Sequence, residues 1–157
     1  MPKFPPDRTR ASFRLMGGSL DPQAVTRMLG IEPSNAHRRG DPGRGRRSPP
    51  YREGLWSLRA PLDQTAPLEE HLNWLLDRLE GKRSEIEEFV RNGCRTDFYV
   101  GYSIDSGQGG PGLAPSLLRR LGDFGVRLGF DVHMESSEAS AKWAPPQGEA
   151  GRSSSGS

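Results

Sequence analysis

The sequence predicts an α+β domain in which helices cover one face of an antiparallel β-sheet. Two similar segments support this, because residues 20–28 and 113–121 share the pattern Leu-x-Pro-x-apolar-apolar-x-Arg-apolar and each follows a strand-like run. Proline is tolerated at the first helical position, and the apolar pair falls on one helix face. A stripe of leucines at helical spacing in residues 67–92 is the third observation. Together they predict a ferredoxin-like two-layer sandwich with duplicated β-α-β halves, an inserted helical pair and a four-stranded antiparallel sheet.

Alternating apolar residues place the strands of this sheet. The four predicted strands span residues 11–16, 54–60, 95–104 and 126–134. In the duplicated arrangement the first and third of them lie centrally, and all helices lie on one face of the sheet.

Capping residues place the helices between these strands. Asp21 is a suitable N-cap for a helix over residues 22–29, and Gly30 a suitable C-cap. The region 67–92 is interrupted at Gly81, which predicts two consecutive helices or one kinked helix. The second proline-led helix is expected over residues 115–121.

Composition limits the domain count and the compartment. The chain has 157 residues, of which 32% are hydrophobic, and both ends are rich in polar, Pro or Gly residues. Such ends bury too little apolar surface to offset their ordering entropy. We therefore expect a disordered tail at 1–10, a single α+β domain at 11–134 and a disordered tail at 135–157. With no long apolar run and no signal-peptide pattern, the protein is expected to be cytoplasmic and without a membrane partner.

Several short motifs, taken together, resemble a known bacterial family. The motifs lie at residues 20–22, 29–33, 39–41 (Arg-Gly-Asp), 54–58 (Gly-Leu-Trp-Ser-Leu), 70–72 and 117–132. Over about residues 11–132 the chain resembles the domain of unknown function 4279 family. That family has no settled activity, so the resemblance implies a small single-domain protein and transfers no catalytic residue.

The first candidate site is the Arg-rich loop, residues 38–52, which contains almost no apolar side chain. Its arginines favour phosphate contacts, as in a nucleic-acid (RNA) binder. The alternative is a solvated connecting loop, in which Arg39-Gly40-Asp41 forms a turn held by a hydrogen bond to the Asp41 carboxylate. The candidate binding residues here are Arg38, Arg39, Asp41, Arg44, Arg46 and Arg47.

The second candidate site is the Gly-rich loop, residues 106–112, which precedes a predicted helix. Backbone N–H groups at such a position favour an anion, and Ser106 and Gln108 are its candidate binding residues. The loop matches neither a Walker A motif nor a dinucleotide fingerprint. A small-molecule sensor or an enzyme using this loop is one interpretation, and a flexible connector is the other.

No pattern in the sequence predicts catalysis. Three separated histidines and the single Cys94 form neither a zinc motif nor a nucleophile–base pair, so we expect no enzyme, no cofactor and no metal. The single cysteine also excludes an intramolecular disulfide. Trp56 is a further candidate binding residue, either packed in the core or exposed at an interface.

These observations favour a non-enzymatic protein-binding module, adaptor-like or immunity-like, whose partner the sequence does not identify. Its binding surface is expected on the open sheet face, an edge strand or the Arg-rich loop. The alternative is an RNA-binding protein in which the loop arginines contact phosphates and Phe13, Phe98 and Tyr99 supply stacking rings. The sequence makes no prediction of the oligomeric state.

Overall fold

A mixed five-stranded sheet with helices packed on one face forms the fold. The structure is a computed structural model that describes residues 7–104 and 109–134. The elements are β1 (Arg8–Gly17), α1 (Pro22–Leu29), β2 (Asn35–His37), β3 (Gly54–Arg59), α2 (Leu68–Leu79), a 3-10 turn (Glu80–Lys82), α3 (Arg83–Arg91), β4 (Arg95–Ile104), α4 (Pro115–Phe124) and β5 (Arg127–Met134). The strand order across the sheet is β2-β3-β1-β4-β5.

The strand directions divide the sheet into two parts. Neighbours among β2, β3, β1 and β4 are antiparallel, whereas β5 runs parallel to β4 at the edge. Helix α1 connects β1 to β2, and α2 with α3 connects β3 to β4. Helix α4 with β5 is an additional unit beside β4.

The predicted α+β class is confirmed, but the four-stranded antiparallel ferredoxin-like sandwich with duplicated halves is wrong as stated. The additional strand β2 has no apolar alternation that would predict it, and its three residues pair with Ser57, Trp56 and Leu55 of β3. The connection from β4 to β5 is long enough for a helical crossover, which allows the parallel pair. The two proline-led helices therefore belong to units of different topology.

Both proline-led helices begin where predicted and end at a glycine. Asp21 Oδ1 accepts a hydrogen bond from Gln23 N at 3.1 Å, and Gly30 ends α1 with φ 65°. Gly125 ends α4 in the same left-handed conformation, with φ 75°. Only glycine adopts this conformation without steric cost, which explains the sharp ends.

One hydrophobic core lies between the helices and the sheet. Phe13 of β1 contacts the rings of Trp56, Phe98 and Phe124, with centroid distances of 6.4, 5.5 and 6.3 Å. The buried leucines of α2 and the buried side chains of α1 and α4 belong to the same cluster. The helices therefore share one face, as the sequence predicts.

The first strand begins earlier than predicted. Residues 8–10 belong to β1 and not to a tail, because Thr9 is buried on the core face and its N donates to Gln64 O at 2.7 Å. Residues 1–6 and 135–157, where the two tails are expected, lie outside the described part of the chain.

A polar network joins α4 to the end of α2. Arg120 donates to Glu80 Oε1 and Asp77 Oδ1, each at 2.8 Å, and to Asn73 Oδ1 at 2.6 Å. The two carboxylates raise the pKa of the Arg120 guanidinium. Arg120 therefore stays charged and connects α4 to the end of α2.

We expect Arg120→Ala to lower the free energy of unfolding by about 1–2 kcal/mol, because several charged hydrogen bonds are lost together. Urea unfolding followed by circular dichroism measures this. The control is Arg119→Ala, an exposed neighbour on the same helix, expected to change stability by less than about 0.5 kcal/mol. Equal losses in both variants would contradict a specific role for Arg120.

Candidate functional site

The sheet face opposite the helices is polar and is called here the helix-free face. It carries alternate residues of the three strands β1, β4 and β5, whose other side chains face the core or the helix side. Its β1 and β4 residues are Arg8, Arg10, Ser12, Arg14, Asp97, Tyr99, Gly101 and Ser103, and its β5 residues are Arg127, Gly129, Asp131 and His133.

A bidentate ion pair orders one end of the helix-free face. Arg14 Nε and Nη2 donate to the two carboxylate oxygens of Asp97 at 2.8 and 2.6 Å. The Arg14 guanidinium also lies 4.3 Å from the centroid of the Tyr99 ring. The hydrogen bond to Asp97 raises the pKa of Arg14. Because Arg14 and Asp97 neutralise each other, this pair holds Tyr99 in place and adds no net charge.

The other end of the helix-free face forms a depression of about 330 Å³, called here the sheet pocket. Its floor follows from the strand register, in which Gly101 lies between Arg10 of β1 and Asp131 of β5. No atom lies within 4 Å of a Cβ built at Gly101, so the space above this glycine is open. A larger side chain at this position would fill it. The pocket is lined by Arg8, Arg10, Ser12, Arg59, Gln64, Tyr99, Gly101, Ser103, Asp131 and His133.

The two walls of the sheet pocket differ in charge. Arg8, Arg10 and Arg59 stand on the β1–β3 side, and Gln64 accepts from Arg10 Nε and Nη2 at 3.2 and 2.9 Å when its amide oxygen faces that guanidinium. Asp131 stands on the β5 side.

The Asp131 carboxylate is fixed by its neighbours. Asp131 Oδ2 accepts from Tyr99 Oη at 2.6 Å and lies 3.2 Å from His133 Nε2. The Tyr99 hydrogen bond is the main cause that lowers the pKa of Asp131, and the same bond raises the pKa of Tyr99. The β5 wall is therefore a carboxylate at neutral pH.

On the helix side, β5 carries an exposed apolar row, called here the β5 strip: Phe130, Val132 and Met134. Their exposed fractions are 47, 53 and 64%. Helix α4 does not cover them, because Phe124 packs inward against Phe98 at 5.5 Å. Leu118 of α4 is also exposed, so four of the five large exposed apolar side chains in the described residues lie on α4 and β5.

The Arg-rich loop connects β2 to β3 and is held by internal hydrogen bonds. Asp41 Oδ2 accepts from Arg38 N at 2.7 Å, and Gly40 takes φ 88°, so the turn expected in the alternative interpretation is present. Arg38 also donates to Asp21 Oδ1 at 2.8 Å, and Arg44 donates to Asn35 Oδ1 at 2.7 Å. Two of the candidate arginines therefore contact this chain's own oxygens.

The other candidate residues of this loop are on its surface. Arg39, Arg46 and Arg47 are exposed. His37 stacks on Tyr51 with a centroid distance of 3.5 Å, so these two rings contact each other.

The Gly-rich loop is described only in part. Ser106 and Gln108 lie outside the described residues. At the start of α4, the Glu69 carboxylate accepts a hydrogen bond from Ala114 N. A carboxylate of α2 thus lies at the N-terminus of the helix that follows the Gly-rich loop.

The remaining candidates lie in or beside the core. Trp56 is 0% exposed and its Nε1 donates to Thr26 Oγ1 at 3.0 Å, so it is a core residue and not an interface residue. Phe13 and Phe98 are also buried, so Tyr99 is the one proposed stacking ring on the helix-free face. Burial raises the pKa of the Cys94 thiol, which lowers its reactivity at neutral pH.

The histidines lie on different elements. His71 of α2 is buried with Nε2 3.1 Å from Asp63 O, whereas His37 is on β2 and His133 on β5. Within residues 7–104 and 109–134, no group of three or more His, Cys, Asp or Glu side chains is arranged to hold a metal ion. Nor does any helix in this part of the chain have the length and apolar character to cross a bilayer.

A comparison with known families gives a match over most of the chain. The family described as Domain of unknown function (DUF4279) matches residues 7–135, which is most of the chain. The chain belongs to this DUF4279 family. No curated protein and no solved structure matches it. The DUF4279 assignment confirms the resemblance seen in the sequence and assigns no activity to the sheet pocket or the β5 strip.

The sequence predicts the open sheet face or an edge strand as a binding surface, but not the residues that form the sheet pocket and the β5 strip. The alternation of Arg8, Arg10, Ser12 and Arg14 in β1 is the signal for the pocket wall, but its first half falls in the segment interpreted as a tail. For the β5 strip, alternation predicts a strand and one apolar face. It does not reveal that α4 leaves this face uncovered.

Proposed function

We propose that this DUF4279 protein is a protein-binding module that acts without catalysis and takes up an extended segment of a partner along the outer edge of β5. The observation that carries the proposal is the β5 strip, three large apolar side chains about half exposed on a strand at the edge of the sheet. Exposed apolar patches of this kind are typical of interaction sites.

The backbone of β5 supports the same proposal. As the last strand of the sheet, β5 pairs only with β4 among the described residues, so its outer N–H and C=O groups are available to another strand. An added strand gains main-chain hydrogen bonds, and its alternate side chains contact the apolar row.

The two faces of β5 define the chemistry of the partner segment. On the helix side, Phe130 and Val132 would pack against apolar side chains at every second position of the partner segment. On the helix-free face, Arg127 and Asp131 would pair with side chains of the partner segment that carry the opposite charge. The expected partner segment therefore alternates between apolar and charged side chains.

The test uses the full chain as bait in extracts of the cells that make it, with the double variant Val132→Lys/Met134→Lys beside the wild type. Two lysines on the strip place charge where apolar contact is needed, so recovery of the true partner falls by at least about tenfold. The matched control is Val90→Lys, since Val90 is 45% exposed on α3, outside the strip. Recovery should be unchanged in this control.

Two further measurements make the result decisive. In the complex, amide hydrogen exchange should slow specifically within residues 127–134, since the outward-pointing amides of β5 become hydrogen-bonded. If light scattering shows a dimer that the double lysine variant abolishes, the partner is a second copy of the chain. If the wild type and the double lysine variant recover the same proteins and stay monomeric, the proposal is wrong.

A further inference from the structure

We propose that the sheet pocket binds a small organic phosphate of about mononucleotide size, with the phosphate on the arginine wall and hydrogen-bond donors of the ligand on Asp131. This binding site is separate from the β5 strip, because the pocket opens on the opposite face of the sheet. The two proposals share only Asp131, and the pocket proposal does not rest on the protein-binding role.

The shape of the pocket suits a small ligand. Small residues at adjacent register positions, Ser12, Gly101, Ser103 and Gly129, leave the strand backbone uncovered between taller side chains. The volume of about 330 Å³ lies at the lower end of the range for ligand pockets, roughly 300–1,000 Å³. A mononucleotide fits this volume, whereas a long polymer would contact much more surface.

The charge on the β1–β3 wall favours a phosphate. Arg8, Arg10 and Arg59 converge on the pocket, and Gln64, which contacts Arg10, is neutral. Two other arginines of this face are paired with acids, Arg14 with Asp97 and Arg95 with Glu53. The residues that line the pocket include three arginines and one carboxylate, Asp131, so positive charge exceeds negative charge in the lining. Guanidinium groups can bind phosphate oxygens in a fork-like geometry.

The opposite wall selects the rest of the ligand. Asp131 is held by Tyr99 and has a further carboxylate oxygen available as an acceptor, because the Tyr99 and His133 contacts are both to Oδ2. An ionised carboxylate accepts hydrogen bonds and repels anions. A ligand with a phosphate at one end and amino or N–H donors at the other, such as a nucleoside monophosphate, matches both walls.

The experiment measures binding of three probes to the full chain by calorimetry: inorganic phosphate, adenosine monophosphate and a twelve-nucleotide single-stranded RNA. We expect the mononucleotide to bind more tightly than phosphate. The affinity for the RNA should exceed that for the mononucleotide by no more than the number of equivalent nucleotides that the RNA offers. An RNA that binds more than about a hundredfold tighter, with a steep salt dependence, would replace this proposal by a nucleic-acid surface. Absence of binding by the mononucleotide at millimolar concentration would overturn it.

Matched variants locate the site. Arg10→Gln/Arg59→Gln removes two charges from the wall and should weaken mononucleotide binding by about 10–100-fold. Arg46→Gln/Arg47→Gln removes the same charge from the exposed Arg-rich loop and should change the affinity for the mononucleotide by less than about twofold. Equal losses in both double variants would mean that net charge alone attracts the ligand, and the pocket assignment would be wrong.

A third variant tests the shape of the pocket independently of charge. Gly101→Val places a branched side chain on the floor, keeps all the arginines and suits a strand conformation. We expect it to abolish mononucleotide binding while the thermal unfolding temperature stays within a few degrees of the wild type. Undiminished binding in a folded Gly101→Val protein would overturn the proposal.

Discussion

Trp56→Ala is expected to lower the free energy of unfolding by about 3–5 kcal/mol, the largest effect of any single substitution proposed for this protein. Trp56 is 0% exposed, contacts Phe13 edge-on and donates from Nε1 to Thr26 Oγ1 on α1. Alanine would leave a cavity between the sheet and α1 and would remove their hydrogen bond. Chemical unfolding measured by near-ultraviolet circular dichroism gives the value.

The less severe variant Trp56→Phe separates the two contributions. It keeps an aromatic ring beside Phe13 and removes the Nε1 donor, so we expect a loss of about 1–2 kcal/mol. This variant remains measurable if Trp56→Ala does not fold. A loss below about 0.5 kcal/mol for Trp56→Phe would contradict the structural importance of the tryptophan.

Gly54→Ala is expected to lower the free energy of unfolding by about 2–3 kcal/mol, because the new methyl group overlaps backbone atoms. A Cβ at Gly54 would lie 2.8 Å from Leu20 O and 3.3 Å from Gly17 O. Both oxygens belong to the main chain, so the turn after β1 would have to move away from the start of β3. Urea unfolding and the shift of the Leu20 amide signal in a nuclear magnetic resonance spectrum report the two effects.

The control for Gly54→Ala is Gly101→Ala, the same chemical change in another strand. Nothing lies within 4 Å of a Cβ at Gly101, so the methyl group meets no steric conflict. We expect its stability to equal the wild type or to exceed it slightly, since alanine has less freedom in the unfolded chain. If the two variants lose the same stability, the close approach at Gly54 is not the cause.

The elements could be predicted where residues act locally. Pro22 and Gly30 begin and end α1, and Pro115 begins α4, because proline and glycine restrict or permit particular backbone angles in any context. The leucine stripe of α2 and the alternation in β4 follow from helical and strand periodicity in the same way.

Other features could not be predicted because they depend on distant parts of the chain. The strand β2 forms because β3 offers a free edge to three residues, Asn35, Ala36 and His37, which have no strand pattern of their own. The buried position of Trp56 depends on α1 covering β3, and the sheet pocket depends on the register that places Gly101 between Arg10 and Asp131. Pairing of this kind has no signal in local spacing.

The amino-acid sequence by itself determined the α+β class, the membership of the DUF4279 family and the positions of most helices and strands, because these follow from local backbone preferences and periodic burial. The tertiary structure decided the strand order, the parallel pairing of β5 and the two candidate surfaces. The physical reason is that strand partners are chosen by long-range hydrogen bonding and core packing. Those contacts also decide which side of each strand a helix covers and which side remains available for binding.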